Sequence, residues 1–135
     1  MKIRTLGAVG LIIALLAGCS SANKDQKRLE MIATNRAALL SSELPLQYGP
    51  LHIMRANSRG SMIEMMMVYN TDAAEAKPVQ DVMTHSAMSF CQNPTISDNL
   101  TQGIDYRIKI RDSRGKLLID NIITDKSCDK LLPKK

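Results

Sequence analysis

The sequence predicts an α+β domain, an antiparallel sheet of four to five strands packed by helices on one side and tied by one disulfide. Three observations carry the prediction. Apolar residues between Leu29 and Leu40 recur at helical spacing. Ile104, Tyr106, Ile108 and Ile110 alternate with Asp105, Arg107, Lys109 and Arg111, the period of a half-buried strand. Two stretches, Ser58-Arg59-Gly60 and Asp112-Ser113-Arg114-Gly115, carry turn chemistry between apolar runs. At 135 residues the chain has the length of one domain, and 44% hydrophobic with 23% charged residues is the composition of a folding chain rather than a disordered one.

The first element is an amphipathic helix that starts near Lys24, with Leu29, Ile32, Ala33, Arg36, Leu39 and Leu40 recurring at helical spacing, and ends near Leu44-Pro45. Leu51 to Asn57 reads as a strand, and Ser61 to Asn70 as its returning partner. Along the return, Ile63, Met65, Met67 and Tyr69 share one face, while Met62, Glu64, Met66 and Val68 share the other. Both faces are largely apolar, so this strand is either central and covered twice or presents one face to a partner. Thioether side chains adapt to irregular apolar partners and equally well fill cores, and both readings stay open for the cluster at 62, 65, 66 and 67. Met62, Met66 and Val68 are the expected partner-binding residues, beside the leading helix. A polar loop, Thr71 to Lys77, leads to Pro78 at a helix start, and Val79, Val82, Met83, Ala87 and Phe90 mark that helix's buried face. Asn93-Pro94 stops it, a short turn or helix follows around Ile96 to Leu100, and Gly103 opens the clearest strand, which returns over Lys116 to Thr124.

Composition excludes several classes of function. Aromatics are 3% of the chain, with no Trp and one Phe, so platforms for stacking bases are absent. His52 and His85 fall on different elements without a Cys or carboxylate at ligand spacing, so no metal site is expected. His85 and Cys91 are six residues apart on one helix and fall on different sides, which disfavours a thiol nucleophile and its base. GxSxG, P-loop and GxGxxG patterns are missing, and the reading is of a chain with no catalytic residue and no cofactor. Arg107, Lys109 and Arg111 form a basic stripe that suits an acidic partner or anionic lipid heads, or is simply a solvated strand surface.

The N-terminus carries an address. Lys2 and Arg4 precede the uncharged run Leu6 to Ala17, the layout of a signal peptide and too short for a spanning helix. Leu16-Ala17-Gly18-Cys19 resembles the bacterial lipobox, in which the Cys thiol is diacylated and the chain is cut before it. The resemblance divides the chain into a signal peptide at 1–18, a short lipidated tether at 19–23 and a domain at 24–135. Several acyl chains hold a protein to a membrane stably without spanning it. Ser20 follows the lipidated Cys19 where the inner-membrane retention signal of such lipoproteins has Asp, which implies delivery to the outer membrane. Removal of Lys2 and Arg4 lowers the net charge from +5 to +3, too mild a surplus to predict nucleic-acid binding. Disulfides persist in an exported location, and with Cys19 lipidated, Cys91 and Cys128 can pair only with each other.

The lipobox, the stretch Phe90-Cys91-Gln92-Asn93-Pro94-Thr95-Ile96, the strand Gly103-Ile104-Asp105-Tyr106-Arg107-Ile108-Lys109-Ile110-Arg111 and the closing Cys128 together resemble the AspS-type (GspS-beta) pilotins of type II secretion. The resemblance is detailed over roughly the last fifty residues and covers the leader and first helix in outline. It implies an outer-membrane lipoprotein, facing the periplasm, that is passed along by the lipoprotein-sorting machinery. Such a protein binds the C-terminal tail of the secretin subunit and directs its outer-membrane assembly. A structural or inhibitory outer-membrane lipoprotein that covers another periplasmic partner is the alternative reading, and an accessory to cell-wall metabolism is a third.

Overall fold

The computed structural model describes residues 17–133, with side chains from Ser21 onward. The predicted signal segment lies outside the described residues save its last two, as do the side chains of Cys19 and Ser20.

Helix α1 (Ala17–Ser42) is continuous through 19–23, the residues assigned above to the tether. No Gly or Pro follows Gly18 to break the backbone ladder before Ser42. Residues 21–28 are exposed, and packing starts at Leu29 and continues through the buried Ala33 and Ala37. After α1 the chain forms β1 (Leu46–Tyr48), β2 (Leu51–Arg59) and β3 (Met62–Tyr69), then α2 (Val79–Gln92) and α3 (Pro94–Gln102). It closes with β4 (Asp105–Asp112), β5 (Leu117–Ile123) and α4 (Asp125–Leu131). Neither β1 nor α4 was expected: three residues are too few to display an alternation, and α4 is a two-turn helix held by a capping box between Thr124 and Ser127.

The five strands lie in sequence order, β1-β2-β3-β4-β5. Three of the four pairings are antiparallel, as predicted, but β3 and β4 run parallel, with Met62 beside Asp105 and Val68 beside Arg111. The reason is the connection. A hairpin would reverse the chain, whereas α2 and α3 carry it back along the sheet so that β4 starts level with β3. Asn93, expected only to stop α2, also caps α3: its Oδ1 accepts from the Thr95 and Ile96 backbone N–H groups at 3.0 and 3.1 Å, with Pro94 at the first helical position. Gly103 then closes α3 in the left-handed conformation, at φ +101°.

The helices pack on one face of the sheet, α1 on β2 and β3, with α2 against β5 and α3 against β4. The core between the layers contains Ile63, Met65, Met67 and Tyr69 of β3 and Tyr106, Ile108 and Ile110 of β4, together with Ala56, Met83, Leu100, Ile104 and Ile123. The buried tyrosine hydroxyls are satisfied. The Tyr69 hydroxyl donates to the Lys77 carbonyl at 2.8 Å and accepts from the Lys77 N–H at 2.7 Å, tying the 70–77 loop to the sheet. Cys91 and Cys128 are bonded, which fastens the end of α2 to α4.

Candidate functional site

The helix layer leaves a gap. Its floor is Ile53 of β2 and Met67 of β3, and one wall is the α2 surface carrying His85, Ser86, Ser89 and Phe90. Asn93 and Ile96 close the α2–α3 corner, and Tyr48, largely exposed on the short edge strand, stands opposite. This groove has a volume of about 450 Å³ and is mainly apolar, with a smaller depression along α2 at Lys77, Asp81 and Val82 that shares His85 and Ser86. Phe90, part of the α2 wall, is fixed edge-on against the buried Tyr106 ring, with centroids 5.5 Å apart. An apolar trough with a rim of small polar groups suits the apolar face of a helix.

The predicted binding residues lie elsewhere. Met62, Met66 and Val68 are half-buried on the opposite, helix-free face of the sheet, as the alternation of β3 requires. They are flanked by Arg55 and Arg59 of β2 and by Arg107, Lys109 and Arg111 of β4. Glu64 sits in their midst, paired with Arg59 at 3.4 Å, Lys109 at 3.5 Å and Arg107 at 3.9 Å. Arg107 also makes a two-pronged pair with Asp120 of β5, Nε to Oδ1 at 2.8 Å and Nη2 to Oδ2 at 2.7 Å. That hydrogen bond, with the guanidinium charge behind it, holds the Asp120 carboxyl below its ordinary pKa. At the start of β4 burial acts the other way and pushes Asp105 up.

The structure therefore brings Met62, Met66 and Val68 together with the basic stripe, and keeps both apart from the apolar groove. His85 lines the groove and His52 lies beside Val68 across the sheet. Cys91 is half of the disulfide and has no thiol. Among the described residues no group of three or more His, Cys, Asp or Glu side chains could hold a metal ion. Sequence reasoning missed the groove because Tyr48, Ile53, Met67, Phe90 and Ile96 come from five elements. Their one local signal, the aromatic Phe90 in an aromatic-poor chain, was read as core.

Residues 25–128 match the family described as type II secretion system pilotin, S protein. The chain belongs to that family. Among solved structures this pilotin is similar to the type II secretion pilotin AspS from Vibrio cholerae, with 51% identity, a TM-score of 0.76, and coverage of 80% of this chain and 99% of that one. It is also similar to the pilotin EpsS from the Vibrio vulnificus type 2 secretion system, with 46% identity, a TM-score of 0.75, and coverage of 78% and 96%. In sequence it is 27% identical to Pilotin AspS 2 of Escherichia coli O78:H11 (strain H10407 / ETEC) over 103 residues, 76% of this pilotin and 74% of that protein. The predicted α+β fold is the fold of these pilotins, and in this chain it is tied by one disulfide, as predicted.

Proposed function

We propose that this pilotin is a lipid-anchored, non-catalytic carrier that binds the C-terminal tail of a type II secretion secretin and directs its targeting and assembly at the outer membrane. The observation that carries the reading is the apolar groove over Ile53 and Met67, on a chain of the pilotin family. A disordered tail gains its order on binding by folding as an amphipathic helix, and each apolar anchor buried in the groove contributes roughly 1.5 to 3 kcal/mol against that ordering cost. The escort step needs no chemistry. Acyl chains on Cys19 supply the membrane attachment, Ser20 directs sorting to the outer membrane by the lipoprotein-sorting machinery, and the domain faces the periplasm.

The groove is preferred over the Met62–Met66–Val68 strip because those three side chains are interleaved with an ion network that a tail helix would have to desolvate. Titration of secretin-tail peptide separates the two surfaces. Ser86→Arg places a charged chain in the groove and lowers tail affinity at least about tenfold, while Met66→Asp leaves it unchanged. The reverse pattern would move the tail to the open face. In cells, Cys19→Ser leaves the precursor unacylated and the secretin outside the outer membrane. Secretin multimers intact in the outer membrane of that strain would rule out the escort role.

A further inference from the structure

We infer that the helix-free face of the sheet is a second docking surface, built to take an acidic amphipathic helix of a protein partner, with two carboxylates seated at Arg55 and Arg111 and apolar side chains resting on Met66. The argument begins with charge. Arg55, Arg59, Arg107, Lys109 and Arg111 share this face with Glu64, Asp105 and Asp120, so the cations are in excess. Glu64 and Asp120 are already engaged by Arg59, Arg107 and Lys109. Among the described residues Arg55 has no ion pair, and the Arg111 guanidinium donates to the Gly115 carbonyl of its own hairpin at 3.0 Å, not to a carboxylate. These two cations border one depression of about 140 Å³ whose apolar wall is Met66.

Register gives the spacing. Arg55 lies opposite Met66, Met66 opposite Lys109, and Arg111 two residues further along β4. Two strand spacings across and two residues along place the Arg55 and Arg111 backbones roughly 12 Å apart. Residues i and i+7 of a helix lie roughly 10.5 Å apart on one face, a gap the flexible arginines close, and residues i+3 and i+4 between them fall over Met66. An acidic helix is favoured over an anionic membrane by the surface itself. Met62, Met66 and Val68 lie half-buried and level with the sheet, whereas insertion into lipid needs protruding apolar side chains. The helix α1 that follows the lipidation site also lies on the other side of the sheet. The inference does not rest on the groove reading.

The test uses the full chain in non-ionic detergent and designed peptides of about 15 residues. One peptide carries Glu at i and i+7 with Leu at i+3 and i+4, and a second has the same composition with the Glu residues on opposite faces. Amide-shift titration should give the phased peptide at least about tenfold tighter binding, with shifts on β2, β3 and β4 that weaken at high salt. Arg55→Glu with Arg111→Glu should abolish it, Arg55→Gln with Arg111→Gln should weaken it, and Ser86→Arg should leave it unchanged. Circular dichroism on each variant reports folding. Equal binding of the two peptides, or indifference to both arginine pairs, would overturn the proposal. So would binding of phosphatidylglycerol vesicles through Arg55 and Arg111 by a protein that ignores both peptides.

Discussion

Asn99 donates its side-chain N–H to the Tyr106 hydroxyl at 2.9 Å, and both residues are buried. The bond joins α3 to the interior strand β4 at the point where Phe90 packs edge-on against the same ring. It therefore fixes the α2–α3 corner, which supplies Asn93 and Ile96 to the groove.

Tyr106→Phe keeps the ring and removes the acceptor, leaving a buried amide without its partner. A loss of about 1 to 3 kcal/mol is expected in urea unfolding, with little change in fold. Tyr106→Phe with Asn99→Leu should recover part of it, because an apolar pair of similar size removes the unsatisfied group. No recovery in the double variant would show that the hydroxyl matters through something other than Asn99.

The disulfide should carry a large share of the stability. Cys91 and Cys128 are 37 residues apart in sequence, and closing a loop of that length restricts the unfolded chain by about 4 kcal/mol in the chain-entropy model. That is comparable with much of the margin of a small domain. Cys91→Ser with Cys128→Ser should lower the unfolding midpoint accordingly, and a midpoint within experimental error of the parent would contradict it.

Two carboxylates on the open face should respond to acid in opposite directions. Asp120 is held below its ordinary pKa by the Arg107 hydrogen bond, so its pair stabilises the fold above the ordinary carboxylate range and is lost as pH falls through the depressed folded value. Asp105 is pushed up by burial, so its charged form weakens the fold at neutral pH, and that penalty disappears on acidification below the unfolded value. Asp120→Asn should destabilise at pH 7 and Asp105→Asn should stabilise, with both effects fading in strong acid. Chemical unfolding across pH checks the signs, and a neutral-pH loss for Asp105→Asn would refute its half.

What could be read from the sequence was whatever is written in local period. The β4 alternation is reproduced residue by residue, with Ile104, Tyr106, Ile108 and Ile110 fully buried. The turn at Gly60 and the helix boundary at Asn93-Pro94 also stand where their backbone chemistry puts them. What could not be read was pairing at a distance. Nothing near Met62 says that it lies beside Asp105, because the parallel seam is set by the path of α2 and α3. The groove escaped for the same reason, since its apolar residues are adjacent only after β2, β3 and α2 have packed. Parity groups Met62, Met66 and Val68 on one face of β3, but that face is turned away from α1 rather than lying beside it as expected, because α1 packs over the alternate residues, and its charged neighbours on β2 and β4 come from register.

That parity yields the sharpest test of the fold. Met66 and Met67 are chemically identical neighbours on β3, yet Met67 is 1% exposed against the helix layer and Met66 is only partly buried on the other face. A carboxylate in place of Met67 would be buried without a counterion, which costs at least about 3 kcal/mol and should unfold the domain. The same substitution at Met66 enters a depression lined by Arg55, Lys109 and Arg111, where the new charge has partners, so Met66→Asp should fold with near-parental stability. Circular dichroism and urea midpoints on both proteins decide it. If Met66→Asp unfolded as well, the open face would have to be covered in the folded protein, and both the alternation of β3 and the surface proposed for an acidic helix would have to be abandoned. If Met67→Asp instead folded normally, the floor of the groove would be accessible to water, and a tail helix would gain far less by burying apolar anchors there.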